Sequence, residues 1–148
     1  MGYTHYWKIP RVLDEKLFKI LSEELRTATG LLPTKSKSAQ QDNEGVIYLA
    51  GGNGEGEPIF DNSKIVFNGQ GDDLSHETFS ILQRGNDDFE FCKTARKPYD
   101  LMVCFSLLRL KHHFPEADIS SDGGAKDWSA AKKFYKKVFG ETPPKVNK

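Results

Sequence analysis

The chain has 148 residues, with 21 basic and 21 acidic side chains and therefore a formal net charge of zero. This length suits one domain with a substantial hydrophobic core. The balanced charge argues against a general nucleic-acid-binding protein, which is usually strongly basic. It leaves room for a local basic site and permits self-association, so a homo-oligomer stays open.

The cysteines and the apolar pattern of the sequence predict the cellular location of the protein. Cys92 and Cys104 both lie in apolar surroundings, and two cysteines are too few for a secreted disulfide scaffold. No apolar run approaches the roughly 18 residues of a membrane span, and the N-terminal residues do not form a signal-peptide pattern. We therefore expect reduced, buried thiols, no membrane partner and a location in the cytoplasm.

The N-terminal part of the chain predicts one strand and one helix. Residues 3–8 are rich in aromatic side chains and alternate, which is typical of a short strand with His5 and Trp7 on the same face. Asp14 is a suitable N-cap residue for a helix. The apolar stripe that follows it predicts a helix to about Ala28.

The central third predicts an exposed polar loop followed by short strands. The loop covers residues 33–45, which are rich in lysine, serine and glutamine. Short apolar runs separated by turn residues then indicate an antiparallel meander. The strands are expected at residues 46–50, 59–60, 65–68, 76–82 and 89–91.

The C-terminal third predicts two more helices. Pro98 suits the first turn of a helix that runs to about His113, and the broad apolar face of this segment makes it the expected central, buried helix. A short extended piece at Ile119 follows. Asp127 is then expected to cap a last helix that ends at Gly140.

The order of these elements predicts a single α+β domain over residues 1–140. An antiparallel sheet of about five strands would pack against three helices, mainly on one face. Residues 141–148 contain two prolines and are expected to form a frayed tail.

The decapeptide FCKTARKPYD at residues 91–100 is the strongest candidate for a binding site. Lys93, Arg96 and Lys97 stand at the start of a predicted helix, where acidic side chains are normally favoured. An anionic ligand such as phosphate would resolve this conflict, because the cations and the free N–H groups would hold it together. The other interpretation is a solvated basic loop that neighbouring acids balance.

Further residues could contact the same ligand. Thr94 adds a hydroxyl donor, and Tyr99 could stack on a base or cap a sugar. His76 would help to orient a phosphate group. His5 and Trp7 belong to a dense aromatic cluster, for which a stacking platform and core packing are both open interpretations.

The histidines predict neither a metal centre nor a bound cofactor. No HExxH pattern occurs, and His112 and His113 would lie about 100° apart on a helix. Their expected role is to place positive charge at a helix C-terminus. His76 or His112 would be the acid or base if the protein processed a phosphate ester, although we do not expect an enzyme.

Several motifs together resemble a family of small, largely uncharacterised proteins of bacteriophages and prophages. They are MGYTHYW at the N-terminus, SHETF at residues 75–79, FCKTARKPYD at 91–100, KHHF at 111–114 and SDG at 121–123. The resemblance covers nearly the whole chain. It implies a phage accessory protein and carries over no reaction.

Phage accessory proteins of this size often counter host defence, and one such class sequesters nucleotide signals in basic, aromatic pockets. The resemblance therefore implies a cytoplasmic protein that binds a phosphorylated nucleotide and acts as a sponge for a defence signal. Two alternatives stay open. One is an enzyme that acts on a nucleotide or phosphate ester, and the other is an inhibitor that docks on a host defence protein.

Overall fold

The computed structural model describes residues 3–32, 49–85 and 89–146. The predicted loop at 33–45 and most of the predicted strand at 46–50 lie outside the described residues. Within the described ranges the chain forms an α+β fold, as predicted. Its strands are β1 (Thr4–Lys8), β2 (Leu49–Ala50), β3 (Ile59–Phe60), β4 (Lys64–Gly69), β5 (Phe79–Leu82), β6 (Phe89–Lys93) and β7 (Asp118–Ser121), and its helices are α1 (Glu15–Thr29), α2 (Gly71–Leu74), α3 (Asp100–His113) and α4 (Ser129–Phe139).

The long helices form where the apolar periodicity predicts them, but the predicted cap of the last helix is wrong. Trp128 precedes α4 without a side-chain capping hydrogen bond, and Asp127 lies in the 3-10 turn Ala125–Trp128 before it. Asp14 caps α1, since its carboxylate accepts a hydrogen bond from the N–H of Leu17 at 2.9 Å. Gly140 ends α4 with a left-handed backbone, φ 70°, which costs glycine little. The prediction that α3 is the central buried helix is confirmed, because every residue from Leu101 to Leu110 is buried.

The strands are divided between two antiparallel sheets. β1 lies in the middle of a three-stranded sheet in the order β6-β1-β7, while β4 pairs with β2, β3 and β5 in a four-stranded sheet. The N-terminal strand thus separates two strands from the second half of the chain. In this register His5 lies opposite both Cys92 of β6 and Ser121 of β7.

Aromatic side chains join the two sheets into one core. Trp7 of β1 packs against Phe79 of β5, with ring centroids 5.1 Å apart, and Phe79 packs against Phe67 of β4 at 4.9 Å. In the described part of the tail, Glu141 pairs with Arg109 and Val146 packs against the core. Among the helices of the described ranges, none has the length and apolarity needed to cross a membrane.

Candidate functional site

A cavity of about 260 Å³ lies between the turn that follows β6 and the first turns of α3 and α4. Two predicted binding residues, Arg96 and Lys97, are in its lining. Cations outnumber carboxylates around it, so its formal charge is positive. The cations are Arg96, Lys97, Lys126 and Lys133, and the carboxylates are those of Asp100 and Asp127.

The turn between β6 and α3 brings the first two cations to the cavity. The N–H groups of Thr94 and Ala95 donate to the carbonyl oxygen of Tyr3 at 3.1 and 3.3 Å, and that of Lys97 donates to Thr94 at 3.0 Å. Ala95 and Arg96 both have left-handed backbones, with φ of 53° and 60°. This conformation costs a non-glycine residue about 1–2 kcal/mol. The turn is therefore strained, and such strain clusters at functional sites.

Releasing this strain is expected to stabilise the protein. Ala95→Gly should raise the free energy of unfolding by about 1 kcal/mol, because glycine adopts positive φ without a steric penalty. Ala130→Gly, the same substitution within α4, should lower it by about 1 kcal/mol. Urea denaturation measures both variants. A destabilised Ala95→Gly variant would contradict the left-handed turn.

Asp100 is the centre of a buried polar network at the floor of the cavity. Its Oδ1 accepts hydrogen bonds from Thr94 Oγ1 and His5 Nε2, both at 2.6 Å. Nδ1 of His5 lies 2.8 Å from Ser121 Oγ. Cys104 Sγ lies 3.6 Å from both Asp100 Oδ2 and His5 Nε2. Because a carboxylate only accepts, Nε2 of His5 donates to Asp100; in the neutral imidazole Nδ1 then accepts from the Ser121 hydroxyl.

The fold assembles this network from segments that are far apart in the chain. Strand β1 places His5 on the inner face of its sheet, beside Ser121 of β7. Asp100 and Cys104 are one turn apart on α3 and so share a face of that helix. Two residues predicted as ligand contacts, His5 and Thr94, are therefore buried partners of Asp100.

Tyr3 forms part of the cavity wall. The Arg96 guanidinium lies 3.9 Å from the centroid of its ring, within the range of a cation–π interaction. The Tyr3 side chain is 3% exposed, and no hydrogen-bond partner for its hydroxyl occurs among the described residues. Gly123 permits this placement, since a Cβ there would lie 2.2 Å from the hydroxyl oxygen. Burial, and then the charge of Asp100, raises the pKa of Tyr3, so its hydroxyl stays protonated at neutral pH.

Arg96 and Asp127 form an ion pair beside the cavity. Their Nη1 and Oδ1 atoms are 2.8 Å apart, and the side chains are 59% and 31% exposed. The hydrogen bond from Arg96, followed by one from the N–H of Gly124, holds the pKa of Asp127 below its usual range. An exposed pair of this kind contributes only about 0–1 kcal/mol. An anion can therefore compete with Asp127 for the guanidinium at small cost.

Two aromatic residues predicted to stack on a base belong to the core. Trp7 and Tyr99 are each 1% exposed. Trp7 packs against Phe79, and the Tyr99 hydroxyl donates to the carbonyl oxygen of Glu77. For Trp7 the structure agrees with core packing, one of the two interpretations left open, and for Tyr99 the suggested stacking role is wrong, because neither ring presents a face to the solvent.

Three other residues singled out by the sequence lie away from the cavity. Lys93 ends β6, where its N–H donates to the Glu77 carboxylate at 2.7 Å. His76 is exposed, and its N–H donates to the side-chain oxygen of Asn68 at 3.0 Å. His112 stands near the other end of α3. None of these three side chains lines the cavity.

The cavity also contains residues that sequence reasoning did not assign to a site. Asp100 and Cys104 have a detectable pattern, because a four-residue spacing places two groups on one helix face. Their partner His5 is 95 residues from Asp100, and no spacing rule joins them. Lys126 and Lys133 have only the pattern of a solvated helix face.

No protein-family model matches this chain, and neither a curated protein nor a solved structure matches it. The chemistry open to the cavity follows from its lining. The cations of two segments suit an anionic ligand. The carboxylate and thiol in its lining, together with the buried imidazole of His5 that contacts both, suit proton sharing or metal coordination.

Proposed function

We propose that the cavity binds a small phosphate-bearing anion, and that the protein captures a nucleotide-type ligand through its phosphate group. The observation that carries this proposal is the convergence of four cationic side chains on one cavity from residues 96–97 and 126–133. Like charges gathered at a concave site attract an anion. Arg96 can also bind phosphate through paired hydrogen bonds, which gives geometric specificity.

The size of the cavity limits which part of the ligand it encloses. Its volume of about 260 Å³ is slightly below the roughly 300–1,000 Å³ of most small-molecule sites. A phosphate or pyrophosphate group fits inside, while a sugar and base would extend outward. Because Trp7 and Tyr99 are core side chains, neither can stack on the base. We therefore expect affinity to follow the phosphate more than the base.

The positions of two helix starts support the same ligand class. Asp100 and Leu101 begin α3, and Ser129, Ala130 and Ala131 begin α4, and all five line the cavity. Helix N-termini carry partial positive charge. The first turn of α4 contains no acidic side chain that would offset it.

The biological role we propose is sequestration in the host cytoplasm. The resemblance to phage accessory proteins supports the proposal of a sponge that holds a phosphorylated defence signal. In that case the ligand is recovered unchanged after binding. Neither His76 nor His112 lines the cavity, so its lining offers no support for phosphoester processing through those residues.

Removing the guanidinium is the direct test of this function. Arg96→Ala is expected to weaken anion binding at least tenfold, because a charge-assisted hydrogen bond contributes about 1.5–3 kcal/mol. Titration calorimetry measures binding of inorganic phosphate, pyrophosphate, and linear and cyclic nucleotides. Chromatography of the mixtures then shows whether a bound ligand is intact.

Two controls separate binding from stability in this experiment. Arg11→Ala removes an exposed arginine that does not line the cavity, and it should leave binding unchanged. Arg96→Ala should lower the free energy of unfolding by no more than about 2 kcal/mol, since its ion pair with Asp127 is exposed and it makes one cation–π contact with Tyr3. Equal binding by Arg96→Ala and wild type, or no binding across the panel, would refute the proposal.

A second candidate function rests on an exposed aromatic surface. Phe89 and Phe91 of β6 are 50% and 56% exposed, and the ring of Tyr6 stacks on Phe89. Exposed aromatic rings on one sheet face favour docking of another protein, as an inhibitor of a host defence protein would require. Capture of one host protein by wild type but not by a Phe89→Ser, Phe91→Ser double variant would support it.

A further inference from the structure

We propose that His5, Asp100 and Cys104 form a binding site for a divalent metal ion, for which Zn²⁺ is the best match. One potential ligand atom from each of the three residues lies within 4.8 Å of the others. His5 comes from β1, while the other two side chains lie one turn apart on α3. A rigid strand and a rigid helix thus hold all three potential ligands.

The separations between these atoms resemble those around a tetrahedral zinc ion. Bonds of about 2.3 Å to sulfur and about 2.0 Å to nitrogen or oxygen place neighbouring ligand atoms about 3.3–3.6 Å apart. Cys104 Sγ lies 3.6 Å from His5 Nε2 and 3.6 Å from Asp100 Oδ2. The hydrogen bond from His5 Nε2 to Asp100 Oδ1, at 2.6 Å, is lost when a metal replaces the proton on Nε2.

Neighbouring groups can orient these ligands. Ligating histidines usually donate their other ring N–H to a nearby oxygen, which fixes the ring. Ser121 Oγ is 2.8 Å from Nδ1 of His5 and can accept that hydrogen bond once the imidazole proton moves to Nδ1. Thr94 Oγ1 already donates to Asp100 Oδ1 at 2.6 Å, which leaves Oδ2 for the metal. The proton of the Cys104 thiol passes to solvent when the thiolate binds.

A fourth ligand can reach the metal from the cavity. Asp100 and Cys104 both line the cavity, so the proposed site opens toward it. Three protein ligands and one open position are typical of zinc sites that bind a water or a substrate group. The buried Tyr3 hydroxyl, for which the described residues supply no hydrogen-bond partner, is in the same wall.

The ligand set selects among metals. A thiolate and an imidazole with a single carboxylate suit Zn²⁺, which is borderline soft and accepts sulfur, nitrogen and oxygen. Mg²⁺ and Ca²⁺ prefer six or more oxygen ligands. Cys104 and His5 therefore argue against both of these ions.

Metal titration of the full-length chain tests the proposal. The chain is dialysed against a chelator and titrated with Co²⁺ and then with Zn²⁺ in phosphate-free buffer. We expect one equivalent of Co²⁺ to produce a thiolate-to-cobalt charge-transfer band and the intense visible bands of a four-coordinate site. Zn²⁺ should displace it with a dissociation constant of about 1 µM or less, weaker than for the four-ligand structural zinc sites.

Variants identify which thiol is the ligand. Cys104→Ala should abolish the charge-transfer band, whereas Cys92→Ala, which removes the other buried thiol, should retain it. Ser121→Ala should weaken Zn²⁺ binding about 10–100-fold, because it removes the hydroxyl that orients His5 and no metal ligand. Circular dichroism checks that each variant is folded.

Three results would overturn the metal site. They are absence of the charge-transfer band in wild type, a band that disappears in a folded Cys92→Ala variant, and Zn²⁺ binding by Cys104→Ala as tight as wild type. The wild-type spectrum is decisive even if Cys104→Ala fails to fold. The titration contains no phosphate, so its outcome is independent of the anion proposed above.

Discussion

Gly69→Ala is expected to lower the free energy of unfolding by at least about 4 kcal/mol, which is exceptional for one substitution. A Cβ at residue 69 would lie 1.7 Å from the carbonyl oxygen of Leu74 and 2.6 Å from its carbonyl carbon. These are backbone atoms of α2, so a change of rotamer cannot relieve the overlap. Because β4 joins three other strands and a domain has only about 5–15 kcal/mol of stability, we expect a partly unfolded variant.

Gly30→Ala is the matched control for this experiment. Gly30 follows α1 with φ −74°, and a Cβ there would meet its nearest atom, the carbonyl oxygen of Thr27, at an ordinary 3.5 Å. Alanine should therefore be neutral or stabilise by up to about 1 kcal/mol. Urea denaturation followed by circular dichroism measures both. A Gly69→Ala variant as stable as wild type would mean that the chain around residues 69–74 relaxes freely.

The second large effect is expected at the buried ion pair of Arg109 and Glu24. Arg109 Nε and Nη2 donate to the two carboxylate oxygens of Glu24 at 2.8 and 2.9 Å, and its side chain is 6% exposed. His113 Nε2 lies 2.8 Å from the same carboxylate. Glu24→Gln should cost about 3–5 kcal/mol at neutral pH, because it leaves the buried guanidinium with only the half-exposed carboxylate of Glu141, 3.3 Å from Nη1, as a counter-charge.

The same carboxylate should make the stability of the protein sensitive to acid. Burial alone raises the pKa of Glu24, but hydrogen bonds from His113 and Arg109 outweigh it and lower the pKa from 4.5 to about 2. Since the folded-state pKa is the lower one, this stabilisation is present above about pH 4.5 and is lost as the pH falls toward 2. The shift corresponds to about 3 kcal/mol. The stability difference between wild type and Glu24→Gln should shrink by about that amount.

Urea denaturation at several pH values between 2 and 7 measures this difference. Glu23→Gln, which removes an exposed carboxylate one residue away, should change the free energy of unfolding at neutral pH by less than about 0.5 kcal/mol. If the difference between wild type and Glu24→Gln stayed constant down to pH 2, the assignment of the acid-sensitive group to Glu24 would be wrong.

Local sequence patterns predicted most of the secondary structure. The N-cap at Asp14, the C-cap at Gly140 and the apolar run of α3 are confirmed, because capping and periodicity act over a few residues. The four-residue helix α2 was missed, since Gly71-Asp-Asp-Leu74 has the composition of a turn. Division of the strands into two sheets was also beyond these patterns, because the pairing of β1 with β6 and β7 is non-local.

The candidate site was predicted only in part. The basic decapeptide predicted Arg96 and Lys97 as binding residues, and both line the cavity. Exposure of these two residues could be predicted without knowledge of the fold, since lysine and arginine rarely lie in a core. Trp7 and Tyr99 were placed in the site because an aromatic ring suits both a core and a stacking surface. Whether an aromatic ring lies in the core or forms a stacking surface depends on which side chains pack against it.

By itself the sequence determined the α+β class, the positions of the long helices and the basic segment before α3. Each depends on residues close together in the chain, whose propensities, caps and charges act locally. Only the tertiary structure brought His5 to Asp100 and Cys104, and Lys126 and Lys133 to Arg96. These meetings depend on the insertion of β1 between β6 and β7 and on the packing of α4 against α3. Burial of the core drives both, and no pairwise spacing in the sequence records them.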